Sequence, residues 1–229
     1  MTKYYDDFRG VDSLVYAHVT ADDADNYTTG EVKDLIPVAE ISKSTEASSA
    51  SKYYDNIPAL VINSEGADEI TITGAAIPLD VLADITGKTL DATSGAFIDG
   101  PAVPPYLAIG YRYFLTSGDE IIYWRLKGKF NLPEATSATM DDGTDSNGQE
   151  LTFTGVNTNH KFGLTNDTAK GVVIDERLSD FTSSTVLGTV ATPDNLSTLG
   201  VTAKAAATDT TVVEEEVTNN TETTNTTNP

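Results

Sequence analysis

Apolar and polar residues alternate through the middle of the chain. In YLAIGYRYFL (106–115) and again in EIIYWRLKGKF (120–130), apolar or aromatic side chains recur at every second position. A period of two predicts half-buried β-strands. The residues between the two runs, 116–119, include a glycine and suit a hairpin connection. We therefore predict one long antiparallel hairpin over 105–131.

Shorter runs of the same kind predict further strands. These cover residues 14–19, 36–42, 58–63, 69–74, 150–157 and 170–176. The stretch SEGAD (64–68) is rich in turn-forming residues and predicts a turn between two of them. Residues 43–57, which include STEASSASKYYDN, show no apolar alternation and predict a long loop.

One segment, 78–87, predicts a short helix. Pro78 suits a first helical position, Asp80 favours the positive end of the helix dipole, and Gly87 is a typical C-terminal cap. Together the elements predict a mainly β fold, an antiparallel β-sandwich or barrel with one short flanking helix.

The composition changes toward the C-terminus. From Thr208 the sequence TDTTVVEEEVTNNTETTNTTNP contains no basic residue, glycine or aromatic residue. Such a composition cannot bury enough apolar surface to fold alone. We therefore expect a β domain at 1–190 and an acidic, Thr/Asn-rich flexible extension at 191–229.

The charge is strongly negative, with 35 acidic residues against 14 basic ones and a net charge of −21. Tight binding of nucleic acid normally relies on lysine and arginine at the phosphates, so this balance argues against a DNA-binding protein. Two explanations remain open. The charge can simply keep the protein soluble, or it can line a surface past which DNA moves without sticking.

The acidic stretch MDDGTDSNGQELTFTG (140–155) resembles a calcium loop at first sight. With Gly148 placed at the sixth position of an EF-hand loop, the first and twelfth positions fall on Gly143 and Thr154, so two essential ligands are missing. We predict a turn at Asn147-Gly148 followed by a strand, and no metal site.

Other site chemistry is also poorly supplied. The chain has no cysteine and only two histidines, which excludes disulfides and thiolate ligands. His18 shares a predicted strand face with Leu14 and Tyr16 and predicts a structural role, whereas His160 falls in a predicted loop. We find no nucleophile motif, phosphate-binding loop or positioned carboxylate pair, and expect no enzymatic activity and no cofactor. The charged N-terminus predicts no secretory signal, and the short apolar runs predict no membrane span.

Several segments, taken in order, resemble the major tail proteins, the tail-tube subunits of long non-contractile-tailed phages (siphoviruses) of Gram-positive bacteria. The resemblance extends over about residues 8–177. Its segments are KYYDNIPA (52–59), SEGADEITIT (64–73), LADITGK (82–88), PPYLAIGYRY (104–113), YWRLKGKFNLPEAT (123–136) and QELTFTG (149–155).

The resemblance implies a structural virion protein. Proteins of this family have a β-sandwich with a flanking helix and form stacked hexameric rings, whose strands close an inner β-barrel through which DNA leaves the capsid. It also implies the partners: other copies of the chain, the tape-measure, tail-tip and tail-terminator proteins, and viral DNA that passes without tight binding. The protein would be made in the host cytoplasm and reside in the phage tail.

Two segments are candidates for contacts between subunits. The first is the predicted loop, with Tyr53, Tyr54, Asp55 and Asn56. The second is the basic face of the second hairpin strand, which carries Arg125, Lys127 and Lys129 and is either solvated or meets acidic surface on a neighbouring copy. We also consider the hairpin 105–131 a candidate barrel-forming or ring-to-ring element.

Two other classes of function remain open. A secreted or surface β-sandwich that binds a ligand would require a clustered aromatic platform in a groove. An acidic hydrolase would require a buried carboxylate pair with a raised pKa.

Overall fold

The computed structural model of the chain describes residues 5–54, 57–133 and 148–204. Over these residues the protein is mainly β with antiparallel strand pairing, which confirms the predicted fold class. There are two short helices rather than one, α1 (Leu79–Thr86) and α2 (Ser183–Gly188). The strands are β1 (Phe8–Asp22), β2 (Tyr27–Thr29), β3 (Lys33–Asp34), β4 (Val38–Tyr54), β5 (Ile57–Gly74), β6 (Thr89–Leu90), β7 (Phe97–Ile98), β8 (Leu107–Leu115), β9 (Glu120–Phe130), β10 (Gln149–Gly155), β11 (Gly171–Asp175), β12 (Ser179–Asp180) and β13 (Thr202–Ala203).

One large sheet organises the molecule. Its strands follow the order β2-β1-β8-β9-β10-β5-β4, with β3 paired to β1 and β11 paired to β9. Strands β1 and β4 are far apart in this order yet contact each other, so the sheet curls back on itself. The predicted hairpin of β8 and β9 is confirmed and lies in the middle of the sheet.

Each face of the sheet is covered by a separate hydrophobic cluster. The first core fills the inside of the curl and includes Ile70, Ile109 and Phe153 together with Ile85 of α1. The second core lies on the opposite face, where Trp124 of β9 packs under α2 and the segment that follows it. Helix α2 and this segment therefore cover the second apolar face of the sheet.

The N-terminal strands are much longer than predicted. Strand β4 continues through most of the predicted loop 43–57, and β5 is continuous through the predicted turn at 64–68. Both predictions are wrong for the same reason. The two strands pair with each other over nearly their whole length, and this pairing holds residues in a strand that carry no apolar alternation.

Strand β9 is buried on both faces, so the prediction of a half-buried strand is also wrong. A register shift separates the pairs Leu107–Gly128 and Ile109–Arg125, which marks a β-bulge. The bulge reverses the alternation. Phe130 therefore joins the first core, although Trp124, an even number of positions away, belongs to the second.

Helix α1 matches its prediction closely. It begins directly after Pro78 and ends at Gly87, which has a φ of 71°. A side chain at Gly87 would be strained by this left-handed backbone and would also come within 2.5 Å of the Val103 carbonyl oxygen. No helix in the described part of the chain is long and apolar enough to cross a membrane.

The folded domain extends beyond the expected boundary at residue 191. Ala191 is fully buried, and Leu196, Leu199 and Val201 pack against the second core. Strand β13 then pairs with β12. Residues 191–204 are therefore part of the β domain, and the rest of the predicted extension lies outside the described residues.

Candidate functional site

The most distinctive surface feature is an arm formed by the distal parts of β4 and β5. Strand β10 pairs with β5 only over Asp68–Gly74. Beyond that point β4 and β5 pair only with each other within the described residues. Every described side chain from Glu46 to Glu65 is exposed. We call residues 46–54 and 57–65 the hairpin arm.

The arm is exposed on both faces and carries apolar side chains. Leu60 and Val61 are adjacent, so they point to opposite faces of the ribbon, and they are 50% and 56% exposed. Ile57 is exposed as well. At about 3.4 Å per residue, the nine residues from Glu46 to Tyr54 extend roughly 30 Å. This is apolar surface that the described part of the chain does not cover.

Two of the predicted contact residues of the first segment, Tyr53 and Tyr54, lie at the end of this arm. The backbone of Tyr53 and Tyr54 belongs to β4 and pairs with β5. The structure does not describe their side chains, and Asp55 and Asn56 lie outside the described residues. Their contact with a neighbouring subunit stays a prediction.

A buried carboxylate holds the base of the arm. Asp68 is 1% exposed and pairs across the ribbon with Thr45, whose hydroxyl donates to Asp68 Oδ1 at 2.8 Å. Asp68 Oδ2 lies 3.3 Å from Lys43 Nζ and 3.3 Å from an Arg125 guanidinium nitrogen, and Lys170 Nζ lies 3.5 Å from Oδ1. The carboxylate therefore joins the arm to β9 and to the residue that precedes β11.

These neighbours determine the charge state of the group. Burial alone would raise the pKa of Asp68, but the Thr45 hydroxyl and the cations Arg125, Lys43 and Lys170 outweigh it and hold the pKa below its usual value. A carboxyl whose pKa is lower in the folded than in the unfolded protein stabilises the fold above the unfolded pKa, and this contribution is lost as the pH falls through the folded pKa.

Stability should therefore fall in acid. We expect the urea midpoint to drop as the pH is lowered from about 6 to below 3. Asp68→Asn should cost on the order of 3 kcal/mol at pH 7, because Arg125 then loses its carboxylate partner. It should also show a shallower loss in acid. Circular dichroism in urea at several pH values measures both effects, and equal acid slopes for the two proteins would contradict the role given to Asp68.

The three predicted basic residues do not form one exposed stripe. Arg125 and Lys127 are buried, and they form ion pairs with Asp68 and Asp22 respectively. Lys129 lies over the ring of Tyr106, with Nζ 4.4 Å from its centroid. The β9 bulge separates Arg125 from the two lysines, so the first alternative, a single solvated face, is wrong. Contact between these residues and a neighbouring copy remains untested.

A concave region lies between α1, β1 and β3. It encloses about 820 Å³, and Asp84 of α1 is one of the residues that line it. The hydroxyl of Tyr16 and the ammonium of Lys33 each donate to Asp84 Oδ2 at 2.8 Å, and His18 Nε2 lies 2.8 Å from Oδ1. These contacts tie the helix to two strands. We call this region the α1 cleft.

The α1 cleft and Asp68 were both missed by the sequence analysis. Asp84 of the cleft and Asp68 each contact side chains from strands that are distant in sequence. No local sequence motif indicates such contacts. His160 lies outside the strands, as predicted, and its ring packs against Phe162 with centroids 5.0 Å apart.

The stretch 140–155 is described only in part. Residues 140–147, and with them the predicted Asn147-Gly148 turn, lie outside the described residues. The predicted strand is confirmed as β10. Within the described ranges no group of three or more acidic or histidine side chains could hold a metal ion.

Comparison of the sequence with models of protein families gives no match, and comparison with curated proteins gives none either.

Proposed function

We propose that this protein is a structural subunit that assembles with copies of itself into stacked rings, forming the tube of a phage tail. The observation that carries the proposal is the hairpin arm, a long two-stranded ribbon exposed on both faces. The ordered resemblance to tail-tube subunits supports the same function. It also suggests six copies per ring and a location in the virion.

The arm requires a partner on physical grounds. A two-stranded hairpin alone is marginally stable in water, and three strands or a packed face are normally needed. Within the described residues, the outer edge of β4 is not paired beyond the arm base, and the arm presents apolar side chains to solvent. Exposed edges and apolar patches of this kind favour association. A neighbouring subunit would cover both.

The hairpin of β8 and β9 offers less for edge pairing. Strand β8 has β1 on its other side, and β9 has β10 and β11. An added strand from another copy would therefore meet β4 more readily than this hairpin. Because β9 is also buried on both faces, the hairpin would form the frame of the subunit and would not line the tube interior.

The charge distribution supports passage of DNA through the tube. Nine lysines and arginines in the described residues already form ion pairs with acids of the same chain. Little basic charge remains to hold phosphate, and the net charge of −21 leaves an acidic surface. An acidic wall repels the DNA backbone and lets it slide. The tape-measure, tail-tip and tail-terminator proteins are the further partners that this function implies.

The alternatives gain less support. Two aromatic rings line the α1 cleft, those of Tyr16 and His18, and both are bound to Asp84. They do not form the clustered aromatic platform of a sugar-binding groove. Among the described residues, every carboxyl group with a shifted pKa has a pKa below its usual value. A catalytic acid would need a raised pKa.

Sedimentation velocity of the full chain tests the proposal. We expect species larger than one chain to appear and grow as the protein concentration is raised, because the arms then find partners. A single species of one-chain mass at every concentration and salt condition would count against self-assembly.

A further inference from the structure

One cation of the hairpin arm and two carboxylates of the α1 cleft are opposite in charge. Lys52 on β4 is exposed, and its side chain forms no ion pair within the described residues. The cleft is lined by Asp34 of β3 and Asp80 of α1, which are exposed and likewise have no ion-pair partner in the described structure. The cleft also contains Lys33 and Lys88, which are paired with Asp84 and Asp99. An unpaired cation on the arm thus corresponds to two unpaired carboxylates in the cleft.

The two surfaces are also complementary in their apolar groups. Lys52 pairs across the ribbon with Leu60, so both side chains share one face of the arm. In the cleft, the carboxylates lie beside Val81 and Val103, and Val103 is 82% exposed. Lys52 and Leu60 on the arm would therefore meet the carboxylates and the valines of the cleft.

Asp34 borders two cavities. Asp34 lines the α1 cleft and also a second cavity of about 370 Å³ on its other side, where Val32 and Leu187 lie. The Asp34 carboxylate is therefore open to a partner that approaches the cleft.

We propose that the α1 cleft receives the hairpin arm of a second copy of this chain, an inference that rests on the proposed function and names the surface that the arm contacts. Lys52 of the arm pairs with Asp34 and Asp80. Leu60 covers the apolar wall of the cleft. Partly buried charge pairs of this kind fix register and select the correct partner surface.

The absence of cysteine from the chain makes a direct test possible. Lys52→Cys and Asp80→Cys are combined in one chain and treated with a short bis-maleimide at a concentration where the protein associates. The control combines Lys52→Cys with Glu150→Cys, an exposed acidic position on β10 outside the cleft. We expect a ladder of multimers on denaturing gels from the first protein, with a yield about tenfold above that of the control.

A charge exchange provides the second measurement. Lys52→Glu should raise the protein concentration needed for association about tenfold, and Asp34→Lys with Asp80→Lys in the same chain should restore it. Equal ladders from both cysteine pairs, or no ladder while the unmodified chain still associates, would overturn the cleft as the docking surface and leave self-assembly intact. No ladder together with no association of the unmodified chain would overturn both.

Discussion

Removing the distal part of the hairpin arm should abolish self-assembly and leave a folded monomer. The design replaces Ser48–Ser64 by Asn-Gly, which joins the paired residues Ala47 and Glu65 through a tight two-residue turn. Because the described side chains of the removed segment are exposed, the body keeps both hydrophobic cores. The Asp68 anchor also remains. We expect one-chain mass by sedimentation velocity at concentrations where the full chain forms larger species.

A matched variant separates the shape of the arm from its apolar contacts. Ile57→Ser, Leu60→Ser and Val61→Ser keep the full length of the arm and remove exposed apolar surface. This variant should associate more weakly than the full chain but at least as strongly as the shortened variant. Unchanged association of the shortened chain would show that copies meet through another surface.

The largest loss of stability should follow from Trp124→Ala. Trp124 is fully buried in the second core, and its indole nitrogen donates a hydrogen bond to the Val186 carbonyl oxygen of α2 at 2.9 Å. Gly110 provides the space, since a Cβ there would come within 2.8 Å of the indole ring. Deleting a buried tryptophan side chain costs about 3–5 kcal/mol, a large fraction of the roughly 5–15 kcal/mol that stabilises a typical domain.

Trp124→Phe serves as the matched control. It keeps most of the packing but leaves the Val186 oxygen without its donor, and we expect a loss of about 1–3 kcal/mol. Urea titrations followed by circular dichroism compare the two variants without relying on tryptophan fluorescence. A loss below about 1 kcal/mol for Trp124→Ala would show that α2 does not depend on this side chain.

The central sheet could be predicted because its strands carry their own signal. Strands β8 and β10 alternate apolar and polar residues, and residues 116–119 have the composition of a hairpin turn. Helix α1 was bounded by Pro78 and Gly87, which act through local backbone geometry. In each case the information lies within a few residues, where local sequence patterns can be interpreted.

The hairpin arm could not be predicted because neither of its faces is buried. Because both sides of the arm face solvent, its strands do not require apolar residues at every second position. The Ser- and Ala-rich stretch 44–51 therefore resembles a loop. Its strand pairing is set by the partner strand β5 instead. The β9 bulge was missed for a related reason, since it is visible only against the register of β8.

The charged sites were hidden by distance along the chain. The alternation of β9 correctly grouped Lys127 with Lys129, but it could not show that Asp22 and Asp68 neutralise Lys127 and Arg125 from other strands. The predicted C-terminal boundary of the β domain was wrong for a similar reason. Residues 191–204 have few apolar side chains, yet those they have complete the second core.

Electron microscopy of the purified full chain beside the arm-shortened variant tests the central claim most directly. We predict rings or tubes with an open centre for the full chain at high concentration, and isolated small particles for the variant. Particles of one-chain size with no open centre, seen for the full chain at every concentration, would contradict the account.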